Sequence, residues 1–257
     1  MPPSGADARY ASLMAVTVEI CVETPDGAEA AARGGADRIE VCSALSEGGV
    51  TPSPGLLAAA RRAFVRDLTV LIRPRGGDFV YSRREREAML RDIDEAGEAG
   101  ADGVAIGALR ADGTIDYEAT ASFVERAQTM SVTFHRALDV CTEPIDAIDL
   151  LATLGIRSVL SSGAAPTAVE GIEGLRRQVA RAGERIRVQA ASGVRSSNVK
   201  ALIEATGVTG VHGSARAEIA SPQKFVDDAS ACRFGEDART RLVTDVAEIR
   251  ALVEAVG

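Results

Sequence analysis

The feature that most constrains this chain is an eightfold alternation of short β-branched runs with longer amphipathic segments. Strands are predicted at 16–22 (VTVEICV), 38–42 (RIEVC), 68–74 (LTVLIRP), 103–107 (GVAIG), 131–135 (SVTFH), 158–163 (SVLSSG), 186–191 (IRVQAA) and 210–214 (GVHGS). Short, mostly apolar runs of this kind belong to parallel strands covered by helices. Helices are predicted between them at 25–34, 54–64, 82–99, 116–128, 143–154, 167–182 and 196–206. The tail, 217–257, reads as a polar loop followed by a closing helix near 243–255. Ser53 before Pro54 has the form of an N-cap with proline at the first helical position, and Gly155 marks a helix stop. Eight strands in strict alternation with helices predict an α/β fold, a single-domain (β/α)8 TIM barrel, rather than an open sheet. Its length suits that fold, which typically needs about 250 residues. The barrel domain is expected over 16–257, with 1–15 a disordered N-terminal extension.

Composition narrows the function classes. A net charge of −8 gives no bulk attraction for nucleic acid or an anionic membrane surface. No apolar run reaches the length of a membrane span, and the first residues lack the pattern of a signal peptide. The four cysteines, Cys21, Cys42, Cys141 and Cys232, are far apart with no C-x-x-C pair, so they do not read as a disulfide framework. A reducing, cytoplasmic location is therefore expected. Only Lys200 and Lys224 are lysines, one on a predicted helix and one in the tail, which disfavours a Schiff-base mechanism. Walker, G-x-G-x-x-G and H-E-x-x-H motifs are absent, so no nucleotide cofactor is expected.

Strand alternation then sorts the polar groups. Glu19 and Cys21 share one face of the first strand while Val18, Ile20 and Val22 share the other, and the second strand repeats this with Glu40 and Cys42 against Ile39 and Val41. The apolar set should lie under the helices, which directs both Glu-x-Cys pairs into the barrel. Later strands bring Arg73 and Arg75, His135 and Arg136, Ser161 and Ser162, Gln189, then His212, Ser214 and Arg216 toward their C-terminal ends. That is the end where barrels carry chemistry. Buried arginine–glutamate networks also serve simply to fix strand register, and a buried cysteine is often only a small apolar side chain. The functional signal is the convergence of thiols, imidazoles, carboxylates and guanidiniums on one mouth.

The runs VEICV (18–22, with its flanks), GGADRIEVCSALSEGGVTPSPG (34–55), IRPRGGDF (72–79), FHRALD (134–139), SSG (161–163) and VHGSAR (211–216) closely resemble the CutC family, the copper homeostasis proteins. The resemblance spans about residues 16–216. Leu138, where an aromatic is common in the family, and the Ala190-Ala191-Ser192-Gly193 stretch, usually richer in glycine, are departures. The resemblance implies a TIM barrel, a cytoplasmic protein, a role in copper homeostasis and Cu(I) binding by Cys21 and Cys42.

Two chemical readings stay open, and whether the chain is an enzyme is undecided between them. Soft thiolates select Cu(I), with imidazole as an auxiliary ligand, and Cys21 and Cys42 bracket one ion if barrel stagger sets them level. A slip of two residues sets each thiol beside a glutamate instead. A structural four-ligand zinc site is not expected, since no clustered Cys/His spacing exists, and Cys141 and Cys232 are expected to have no role. Alternatively Arg73, Arg75, Arg136, Arg195, Ser214 and Arg216 form a basic mouth for a small phosphate- or carboxylate-bearing metabolite. Glu19, His135 and His212 are then the candidate acid–base groups. A binding protein on a retired enzyme fold is a third class, and self-association through the outer helices fits the architecture.

Overall fold

A computed structural model describes residues 16–225, 227–232 and 238–257; the predicted extension 1–15 lies outside them. Eight parallel strands close on themselves in chain order: β1 (Thr17–Val22), β2 (Arg38–Val41), β3 (Asp67–Leu71), β4 (Gly103–Ile106), β5 (Ser131–Phe134), β6 (Ser158–Ser161), β7 (Arg187–Ala191) and β8 (Gly210–Gly213), with β8 pairing back to β1. The chain is a (β/α)8 TIM barrel. The helices of the first seven units are α1 (Pro25–Gly34), α2 (Pro54–Ala63), α3 (Arg83–Glu98), α4 (Tyr117–Ala127), α5 (Ala147–Thr153), α6 (Ile172–Ala182) and α7 (Val199–Thr206).

Local chemistry starts these helices where the chain turns. The Thr24 and Ser53 side chains accept from Gly27 N and Leu56 N, each ahead of a proline that suits the first helical turn. Ser82 and Glu85 form a reciprocal capping box at the start of α3. Helices α5, α6 and α7 begin later than their apolar periodicity implies. None of the three has a side-chain cap, and turns occupy the residues before each.

Outward-facing strand residues and the inner faces of the helices make one continuous core. It contains Val18, Ile20, Ile39, Leu68, Val104 and Phe134, with Phe64, Met89, Ile93 and Phe123 fully buried from the helix side. Leu71, Ala105 and Cys42, which alternate with those outward positions, form a separate small cluster inside the barrel, with Leu45 packed on it. Thus the Glu-x-Cys faces point inward, as strand alternation requires.

The tail departs from the expected plain loop. Residues 216–220 and 240–244 pair as an antiparallel ribbon, β9 (Arg216–Ala220) with β10 (Thr240–Thr244), and a short helix α8 (Asp228–Ala231) lies between them. Asp245 N donates to Ala215 O (2.8 Å), returning the chain to the end of β8. The last helix, α9 (Val246–Val256), begins with an Asp245 cap and packs on α1 through Ile249, which touches Gly34 closely. No helix among the described residues is long and apolar enough to cross a membrane.

Candidate functional site

Register decides which groups meet. On one side of β1, Glu19 is level with Arg38 and Cys21 with Glu40; on the other side, Glu19 is level with His212 of β8. Three neighbouring strands therefore deliver Glu19, Cys21, Glu40 and His212 to one spot inside the barrel. His212 Nδ1 lies 2.7 Å from Glu19 Oε1, and its Nε2 lies 4.0 Å from Glu40 Oε1. Arg38 Nη1 reaches the other oxygen of Glu19 at 3.4 Å. One ligand atom each from Glu19, Glu40 and His212 lie within 4.8 Å of one another.

The electrostatics follow from this crowding. Burial alone would discharge His212, but the Glu40 carboxylate, the Cys21 sulfur and the bond to Glu19 outweigh it and hold the imidazole protonated. Burial likewise works against the charge of Glu19, yet the His212 and Arg38 contacts prevail and its carboxyl falls below the usual range. Glu40 is less well served: burial and the neighbouring Glu19 charge push it up to about 7, against the pull of His212. Its Oε2 has no hydrogen-bond partner among the described residues.

Cys42 lies two residues beyond Glu40, just past the end of β2, diagonal to Cys21 rather than level with it. Its thiol donates to Val22 O at 3.7 Å, and it is fully buried. Gly49 roofs it. That residue adopts φ +88, and a Cβ there would come 2.7 Å from Leu71 Cδ2 and 3.7 Å from the Cys42 sulfur. Only glycine takes such a conformation and such proximity without strain. Burial, then the nearby Cys21 and Glu40 charges, raise the Cys42 thiol far above its ordinary range, with Arg216 opposing.

Across the mouth, His135 is placed by a close approach. A Cβ on Gly107 would come 2.3 Å from its Cε1, so that position must lack one for the ring to sit there. His135 Nδ1 accepts from Ala137 N (3.1 Å), which leaves the proton of the neutral ring on Nε2, buried and without a partner among the described residues. Burial, with the Arg73 charge adding, lowers His135 to about 3. The ring tilts against Phe79, and the Arg73 guanidinium stacks over that same ring at 5.0 Å.

The predicted basic mouth is arranged differently from an open anion cradle. Arg73 Nη1 donates to Glu47 O and Gly49 O and its Nη2 to Gly77 O, at 2.8 to 2.9 Å, tying the loops after β2 and β3 together. Arg75 is held by Glu85 at 2.6 Å and Asp78 at 3.1 Å. Arg136 pairs with Asp139 at 2.8 Å, whose carboxylate also binds Ser161 and Ser162. Arg195 donates to Arg216 O, and Arg216 in turn reaches Glu23 at 3.5 Å. Ser214 is half-buried just past β8. Each of these guanidiniums thus organises a loop. A cleft of about 440 Å³ does exist, but at the opposite, N-terminal pole, among Arg38, Asp67, Asp102, Ser131 and Arg157. The Arg38–Asp67 and Arg61–Asp102 ion pairs bind that pole together.

Strand alternation directs Glu40 inward along with Glu19, Cys21 and Cys42, but neither Glu40 nor Glu23 is among the candidate site residues read from the sequence. The repeated Glu-x-Cys pattern was the signal for Glu40. No pattern marks Glu23, whose carboxylate also accepts from Leu45 N at 2.9 Å and so fixes the loop over Cys42.

The described architecture is shared with known proteins. A crystal structure of a CutC protein from Streptococcus agalactiae superposes with a TM-score of 0.74 at 31% identity, covering 77% of this chain and 98% of that one. A CutC family protein from Rhizobium meliloti (strain 1021) is 42% identical over 238 residues, 92% of this chain and 94% of its own. The human protein named copper homeostasis protein cutC homolog is 42% identical over 237 residues, 91% of this chain and 87% of its own. The CutC family model matches residues 16–217, and the chain belongs to the CutC family.

Proposed function

We propose that this chain serves copper homeostasis by binding Cu(I) at the barrel mouth, with Cys21 as the leading ligand, Cys42 as the second and His212 as the auxiliary. The observation that carries the reading is the register of Cys21, on the strand between His212 of β8 and Cys42 and diagonal to both. Two sulfurs and an imidazole are the donors a soft monovalent cation prefers. The fit is uneven between the thiols. Cys21 is the more accessible of the two, whereas Cys42 is protonated, roofed by Gly49 and surrounded by carboxylates, so it must lose its proton to take part. The human relative's name points to the same role. Four free cysteines suit a reducing cytoplasm, in which Cu(I) is the cargo form.

The anionic-metabolite reading draws less support from the geometry, because the arginines it needs are engaged with carboxylates and carbonyls around the mouth. The test of the copper reading is an anaerobic Cu(I) titration against a competing chelator, on the parent protein and on Cys21→Ser, Cys42→Ser and double variants. One tight equivalent is expected, weakened most by Cys21→Ser among the single variants and lost in the double variant. Binding that is unchanged in the double variant overturns the reading.

A further inference from the structure

We infer that Glu19, Glu40 and His212 form a second metal site beside the thiols, built for a divalent cation of borderline hardness such as Zn2+. The site goes beyond the copper reading and shares only His212 with it, because its other two donors are carboxylates. Carboxylate and imidazole ligands suit Zn2+, Co2+ or Fe2+ and are poorly matched to Cu(I).

Geometry supplies the first argument. Three donor atoms from three consecutive strands, β8, β1 and β2, lie within 4.8 Å of one another in the barrel interior. Tetrahedral ligands about 2.0–2.2 Å from a shared zinc lie about 3.3–3.6 Å apart, so an inward movement of about 1 Å closes the set. His212 already directs Nδ1 at Glu19 and Nε2 toward Glu40.

The second argument is the asymmetry between the two glutamates. A buried ion-pair cluster that only locks strand register explains Glu19 fully: one oxygen meets His212 at 2.7 Å and the other meets Arg38 at 3.4 Å. It does not explain Glu40. That carboxyl is 5% exposed, its nearest cationic atom is 4.0 Å away, and Oε2 has no partner among the described residues. Arg38 and His212 both bond Glu19, and only the imidazole, at 4.0 Å, faces Glu40. A dication in place of the imidazole proton would be bound by both carboxylates and give the orphaned oxygen a partner.

The test separates this site from the thiols. The Cys21→Ser/Cys42→Ser protein, stripped of metal, is titrated with Co2+ and followed by its visible d–d bands, then with Zn2+ in competition with a chromophoric chelator. One equivalent of Co2+ is expected, with no thiolate charge-transfer band, and Glu40→Gln in that background is expected to weaken it at least tenfold while the folded-state circular dichroism is retained. Absence of Co2+ binding in the double variant, or equal binding with and without Glu40→Gln, overturns the site. If the double variant does not fold, parent and Glu40→Gln proteins are compared directly. An unchanged d–d spectrum and affinity then overturn the site equally. Cu(I) titration of Glu40→Gln is expected to stay within a few-fold of the parent, so failure of the divalent site and failure of the copper reading give different patterns.

Discussion

Cys21 on β1 faces Glu40 on β2, and Cys42 stands one dipeptide beyond, under the roof made by Gly49. The two thiols of one repeated motif therefore live in different surroundings. Cys21 has His212 beside it, whereas Cys42 donates to Val22 O and is held protonated by burial and neighbouring negative charge. Thiol reactivity follows access and thiolate content. In the native protein, alkylation by iodoacetamide is expected to proceed first at exposed Cys232, and at Cys42 only as the protein unfolds. Timed labelling with peptide mass spectrometry reads the order. Labelling of Cys42 as fast as Cys232 contradicts the roofed thiol.

The roof itself is testable. Gly49→Ala places a Cβ against Leu71 at a residue whose φ is +88. Left-handed backbone for a non-glycine residue costs about 1–3 kcal/mol, and the overpacked contact adds to it. A fall in Tm of several degrees is expected, together with faster Cys42 labelling at temperatures where the barrel is still folded. A variant as stable as the parent, with Cys42 still protected, rules out the roof as described.

Arg73 offers a separable prediction, because its role is geometric. Its fork joins Glu47 O, Gly49 O and Gly77 O, and the residue is 6% exposed. Lysine keeps the charge but cannot span three carbonyls from two nitrogens of a planar group. Arg73→Lys is expected to lose on the order of 2–4 kcal/mol as buried carbonyls go unpaired. Hydrogen exchange should accelerate across residues 44–50 and 75–79 before the strands. Uniform protection in the variant is the opposing result.

Much of this arrangement was legible in the sequence, and the gaps have physical causes. Strands and helices were readable because periods of 2.0 and 3.6 are written directly in residues such as Val18, Ile20 and Val22 against Glu19 and Cys21. The same periodicity is blind to a shift of two residues, so it assigned faces and left open whether Cys21 meets Cys42 or Glu40. Arginines after strands were visible; their partners Glu85, Asp139 and the carbonyls at Glu47 and Gly49 depend on loop paths that no period encodes. The β9–β10 ribbon was missed because RAEIA and TRLVT are too polar to stand out from a loop, and pairing Ala217 with Val243 is a long-range event.

His135 carries the pH prediction. Its ordinary value near 6.5 falls to about 3 in the fold, through burial and then the Arg73 charge, with Phe79 and Phe134 flanking the ring. Between those values the folded state binds fewer protons than the unfolded chain. The group's contribution to stability is therefore complete above about pH 6.5 and is lost as pH falls toward 3, by at most about 1.4 kcal/mol per pH unit. His135→Asn, which still offers an acceptor to Ala137 N, is expected to show a shallower loss of unfolding free energy from pH 6.5 to 4.5. Imidazole NMR should show a neutral ring throughout that range. A ring that titrates near 6.5, or identical slopes, contradicts the assignment.

The two buried glutamates should respond oppositely when neutralised in metal-free protein. Glu19 is bonded on both oxygens, and Glu19→Gln breaks a buried charge pair, which typically costs about 3–5 kcal/mol. Glu40 is buried beside that charge with one oxygen unpartnered, and it is pushed up to about 7 chiefly by burial. A carboxyl raised in this way stabilises the fold below its unfolded value near 4.5 and loses that contribution as pH rises through 7. Glu40→Gln keeps the volume and removes the charge. It is expected to be more stable than the parent at pH 8, by on the order of 1–3 kcal/mol, with the advantage shrinking toward pH 5. Chemical denaturation of chelator-treated protein at the two pH values reads this directly. A Glu40→Gln protein less stable than the parent at pH 8 would show that Glu40 belongs to the register lock with Glu19, and that no charge is held in reserve for a cation.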